Sequence, residues 1–121
     1  DRFVADFIGE ANIIPCEVTA VEGETAVIQI GDLTHRLPAR VMGQGAANLA
    51  VRPTRFKLGA AQGIPMQVAK STYVGSRMEY TLTATFADVF VVSEDVDNPL
   101  TPGDEVMVGL DAIGPVLLPA D

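Results

Sequence analysis

The chain has 121 residues, 48% apolar and 20% charged, which suits one folded domain with a buried core and excludes a disordered composition. Sixteen acidic against eight basic residues leave a formal charge of -8, opposing the phosphate neutralisation on which nucleic-acid binding rests. No apolar run approaches the roughly 20 residues that cross a bilayer, and a single cysteine, Cys16, excludes an internal disulfide framework and fits a reducing compartment.

The first residues, Asp1-Arg2-Phe3-Val4-Ala5-Asp6-Phe7-Ile8-Gly9, carry no initiator methionine and no signal peptide, as expected of a piece of a longer protein. Phe3 with Phe7 and Val4 with Ile8 are i,i+4 pairs, so the spacing predicts a short helix over residues 2–8, with Asp1 at its start and Gly9 past its end. A helix of under about a dozen residues is marginal in water. Phe3, Val4, Phe7 and Ile8 are therefore expected to dock, either on their own domain or on whatever precedes it.

Alternation at period two follows, the mark of half-buried strands. Cys16, Val18 and Ala20 share one face, with Cys16 expected to be a small buried strand residue. Glu22-Gly23-Glu24 turns, Ala26, Ile28 and Ile30 return, and Gly31-Asp32 turns again into Leu33, His35 and Leu37, stopped by Pro38. A three-stranded meander results. Residues 39–47, rich in Gly and Ala, read as a connection. Leu49 and Val51 form a brief strand ended by Pro53, and Phe56 and Leu58 follow.

Residues 59–63 are the weakest in strand signal and divide the chain into a first lobe over about 10–58 and a second over about 64–119. Ile64, Met66 and Val68 open the second. Met78, Tyr80, Leu82, Ala84 and Phe86 alternate with Glu79, Thr81, Thr83 and Thr85, which makes the clearest strand in the sequence. Val89 and Val91 return after a turn at Ala87-Asp88. Residues 93–104 form a long acidic loop, and Val106, Val108 and Leu110, then Val116 and Leu118, supply two last strands. Phe7-Ile8-Gly9 and Tyr73-Val74-Gly75 repeat an aromatic, β-branched, glycine triplet. The chain therefore reads as all-β, an OB-fold-like small barrel with two packed lobes behind a short helix.

Chemistry is sparse. There is no Gly-x-x-x-x-Gly-Lys-Ser/Thr loop to cradle phosphates, so no catalytic or ATP-binding residue is expected in this chain. One Cys and one His cannot make a tetrahedral metal site, and no cofactor is expected. His35 shares the parity of Leu33 and Leu37 and reads as a barrel-end or interface residue, having no nucleophile and carboxylate arranged around it. Glu94, Asp95, Asp97 and Asn98 offer hard oxygens but lack the order of a calcium loop, leaving a solvated loop or a cation site as the readings.

The string Arg-Phe-Val-Ala-x-Phe-Ile-Gly-x-x-Asn at the start, with Leu49-Ala50-Val51-Arg52-Pro53 further on, resembles the carboxy-terminal part of the ATP-binding subunit of bacterial ABC importers for sugars, polyamines and ferric iron. There an ATPase domain ends and a transport-associated OB (TOBE) domain begins. The resemblance implies a non-catalytic regulatory and dimerisation domain. Its ATP and Mg would sit in an ATPase domain absent from this chain, and its partners would be a second copy of the ATPase subunit and the transmembrane permease subunits. It implies a cytoplasmic place, peripheral on the inner face of the bacterial membrane. The form Phe-Ile-Gly-Glu-Ala-Asn resembles the polyamine and ferric-iron branch. Arg52 fits the family's strand end, as an arginine pairing with a carboxylate or as an anion site. Lys70-Ser71-Thr72 resembles part of the oxyanion site of molybdate-binding relatives, whose Ser-Ala-Arg-Asn string is absent here. The alternative is a domain that senses a small ligand, polyamine or oxyanion.

Overall fold

The computed structural model describes residues 11–40 and 42–120, so the expected helix and the docking residues Phe3, Val4, Phe7 and Ile8 lie outside the described residues. Ten strands make up the rest: β1 Asn12–Glu22, β2 Thr25–Ile30, β3 Leu33–Pro38, β4 Gly45–Val51, β5 Phe56–Leu58, β6 Ile64–Tyr73, β7 Met78–Ala84, β8 Ala87–Ser93, β9 Glu105–Leu110 and β10 Val116–Pro119. No helix occurs among the described residues. The all-β expectation holds.

Two antiparallel five-stranded sheets form, in the orders β10-β4-β1-β2-β3 and β5-β9-β6-β7-β8. The expected meander is the β1-β2-β3 part of the first, its turns set by the pairs Glu22↔Thr25 and Ile30↔Leu33. Each sheet is built around a long strand that carries a bulge, at Thr19 in β1 and at Ala69 in β6. A bulge bends its strand and sharpens the twist, so both sheets curl around their inner faces. In the first, the edge strands β3 and β10 come into contact. In the second, edge strands β5 and β8 stay unpaired with each other across an open seam, which makes it a half-barrel.

Sheet membership does not follow the division at residues 59–63. β5, directly after β4 in the chain, joins β9 of the second sheet, whereas β10, directly after β9, returns to β4 of the first. Each half thus lends its last strand to the other, and Ile14, Ile28, Leu49 and Val51 of one sheet join Val68, Tyr80, Leu82 and Val108 of the other in a single core cluster.

Two local expectations are corrected. The connection over 39–47 is shorter, because β4 already begins at Gly45 and pairs with β1 from Val18↔Gly45 to Asn12↔Val51. Its alanines give little strand signal, but a central strand flanked on both sides is set by its neighbours and by burial, and Ala47, Asn48 and Leu49 are all buried. The β7–β8 turn is Thr85-Phe86, not Ala87-Asp88, since Ala84 pairs with Ala87. Phe86 carries the inward parity of its strand, yet at the turn its ring leaves the second sheet and packs over Gly31 of the first, 3.8 Å from where a Cβ would stand.

Candidate functional site

The open seam of the second sheet encloses a cavity of about 560 Å³. Its walls come from both unpaired edges, Phe56 and Leu58 on β5 and Val91 to Ser93 on β8, with Tyr80 and Val106 behind. The acidic loop covers one end. Two side-chain bonds strap that loop down at Leu100: its N–H donates to the Tyr80 hydroxyl at 3.0 Å, and Ser71 Oγ donates to its carbonyl at 2.9 Å. Ser71 and Tyr80 are cross-strand partners on one face of β6 and β7, so a single pair holds both backbone groups of Leu100.

Glu94 and Asp95 line this cavity at its rim, while Asp97 is not among its lining residues. Asp97 N–H donates to Asp95 Oδ1 at 3.1 Å, and Asp95 N–H to Ser93 Oγ at 3.2 Å, which folds the rim into local turns. Lys70 and Thr72 are exposed on the face of β6 opposite to Ser71. The run Lys70-Ser71-Thr72 is thus divided between two faces, and the Ser71 hydroxyl is committed to the loop. Arg52, also exposed, follows the end of β4, and the carbonyl of the next residue, Pro53, accepts the Val92 N–H of β8 at 2.9 Å.

A second polar device lies at that junction. Asn12, at the start of β1, donates from Nδ2 to the Val51 carbonyl at 3.0 Å and to the Phe90 carbonyl at 2.9 Å, and its Oδ1 accepts the Phe90 N–H at 2.7 Å. One amide side chain acts as a strand residue toward β8 and links the sheets. Asn12 belongs to the opening string, but period-two reading assigns no role to a polar residue at a strand start. Tyr80 escaped as a site residue for a related reason, since its parity marks only core.

His35 is half-buried, and its Nε2 is enclosed without a hydrogen-bond partner among the described residues. Burial, with the Lys57 charge, lowers its pKa below 6.5. Cys16 is half-buried rather than buried, and burial, with Glu17, pushes its thiol up to about 11, which makes it a poor nucleophile at neutral pH. Among the described residues no group of His, Cys, Asp and Glu is arranged to hold a metal, and no helix is long and apolar enough to cross a membrane.

Two curled sheets sharing one core, with a seam cavity in the second, define a small all-β domain. The chain belongs to the TOBE domain family: the family's profile matches residues 49–118. It is 41% identical over 120 residues to the Fe(3+) ions import ATP-binding protein FbpC of Rhizobium etli, covering 98% of this chain and 34% of that protein. It is 35% identical over 115 residues to the spermidine/putrescine import ATP-binding protein PotA of Ruegeria pomeroyi, covering 89% of this chain and 31% of that one. The chain therefore spans about a third of the length of these curated relatives, and it matches the carboxy-terminal part of such ATP-binding subunits. Among solved structures, the molybdate-bound form of the cytoplasmic molybdate-binding protein ModG aligns with a TM-score of 0.70 over 90% of this chain and 96% of that one. At 17% identity this likeness concerns the fold alone.

Proposed function

We propose that this chain is the non-catalytic regulatory and dimerisation domain of an ABC importer ATP-binding subunit, of the ferric-iron or polyamine kind. The observation that carries the reading is the 41% identity to an FbpC protein along 98% of the chain, joined to a sequence without a phosphate-binding loop. ATP and Mg belong, in this reading, to the ATPase domain of the same subunit. The partners are a second copy of the subunit and the permease subunits, at the inner face of the bacterial cytoplasmic membrane. Each lobe serves as an OB-type unit, and apolar side chains left in solvent, among them Tyr73 at 63% exposure and Ile113 at 78%, support a pairing role. Paired domains would keep two ATPase subunits together while their nucleotide sites open and close.

The test compares the ATP-binding subunit carrying this domain with a form lacking it. The shortened form should still bind ATP, with its self-association weakened; unchanged association, or loss of nucleotide binding with the fold intact, would count against the reading. A second reading, a domain that senses a small ligand, is favoured by the seam cavity. Of its two candidates the oxyanion has the weaker support, because the Ser71 hydroxyl is already bonded to the Leu100 carbonyl.

A further inference from the structure

The seam cavity has three features that suit a ligand. Apolar side chains stand on both of its edges, from Phe56 and Leu58 across to Val91, among Thr54, Ser93 and Asn98, so its lining is about half polar. At the rim, the exposed carboxylates of Glu94 and Asp95 pair with no cation among the described residues, where the ion pairs are Arg36–Glu22, Arg55–Asp111 and Arg77–Glu79. Behind them Tyr80, only 2% exposed, accepts the Leu100 N–H with its hydroxyl oxygen, and its own proton has no acceptor among the described residues.

We propose that this cavity binds a small organic cation with a single ammonium or guanidinium group on an apolar body. The body lies between the unpaired edges of β5 and β8, the cation meets Glu94 and Asp95, and the Tyr80 hydroxyl donates to an acceptor on the ligand. A volume of about 560 Å³ falls within the range of small-molecule sites. The charge-assisted bonds at the rim supply orientation. A polyamine fits less well. Its charges recur along its length, whereas the lining carboxylates are adjacent residues at one end. The proposal rests on the small-ligand reading and is independent of pairing between subunits. The loop strap prepares the site, because Leu100 is held through both its N–H and its carbonyl before any ligand arrives.

The test titrates the isotope-labelled chain with phenethylamine, phenylethyl alcohol, phenylpropionate and putrescine, in enough salt to screen the general attraction of an acidic protein for cations. Phenethylamine should shift the amide signals of Val91 to Asp95 and of Leu100. The double variant Glu94→Gln, Asp95→Asn should weaken it about tenfold. Asp32→Asn with Glu105→Gln, away from the seam, should leave binding unchanged. Adding an acceptor for the Tyr80 hydroxyl, as in 2-amino-1-phenylethanol, should tighten binding severalfold over phenethylamine, and Tyr80→Phe should abolish that gain; if that variant fails to fold, the rim variants, all at exposed positions, still decide. Equal binding of the alcohol, tighter binding of putrescine, or an unaltered affinity in the rim variant overturns the single-cation site. Silence from all four probes, and from molybdate and sulfate titrated beside them, removes the small-ligand reading as well.

Discussion

Asn12 shows how one side chain can stand in for a length of strand. Its three bonds reach Val51 in its own sheet and both backbone groups of Phe90 in the other. Asn12→Ala removes all three and leaves part of the β8 edge without its partner, so we expect a loss of about 1–3 kcal/mol in urea unfolding. Asn12→Asp keeps the acceptor for Phe90 N–H but sets a carboxylate against two carbonyls. It should be destabilised at neutral pH and recover in part on acidification, when a protonated carboxyl can donate once more. His35 gives a pH dependence of known sign. Its folded pKa lies below its ordinary value, so the unfolded chain binds the proton more readily, and the contribution of His35 is present above about pH 6.5 and lost as the pH falls through the folded value. As the sole histidine, it can be isolated. Thermal unfolding of the wild type and of His35→Gln should diverge as the pH rises from about 5 to 7, with the wild type gaining more. Parallel curves would show that the buried Nε2 has no energetic role.

The strands were legible wherever one face is buried and the other wet. In β7 the alternation of Met78, Tyr80 and Leu82 with half-buried Glu79, Thr81 and Thr83 follows the sequence pattern residue by residue. It failed at β4, whose Gly and Ala residues have no strand propensity of their own and become a strand only between β1 and β10. It failed again at Phe86, where parity predicts an inward ring and the tight Ala84↔Ala87 hairpin places the residue at the turn. Entry into β6 depends on a close approach. A Cβ on Gly63 would stand 2.5 Å from the Val108 carbonyl oxygen of β9, and a backbone atom within a paired strand cannot move aside. Gly63→Ala should therefore cost about 1–3 kcal/mol, measured by chemical denaturation; a variant of wild-type stability would contradict the β6–β9 packing described above.

At the scale of the molecule, the sequence suggests a division into two halves and gives no sign that end strands are exchanged between the two sheets. The triplet Tyr73-Val74-Gly75 sits at the tip of the β6–β7 hairpin, past the long strand, so it does not mark the repeat. The common layout lies in the bulged central strands and the hairpins that follow them, features of pairing rather than of composition. The exchange joins the lobes through β5 and β10 and leaves the second sheet with the open seam where the cavity lies. The cavity residues could not be collected from sequence, because Phe56, Tyr80 and Glu94 are distant in the chain and meet only through that curl. Family membership was legible, since it depends on local strings rather than on long-range contacts. The role as a pairing domain is the central claim, and sedimentation equilibrium of this chain over a wide concentration range tests it most directly. We expect the average mass to rise from the 12.8 kDa of one chain toward twice that value; a mass fixed at one chain up to the highest concentrations would contradict it.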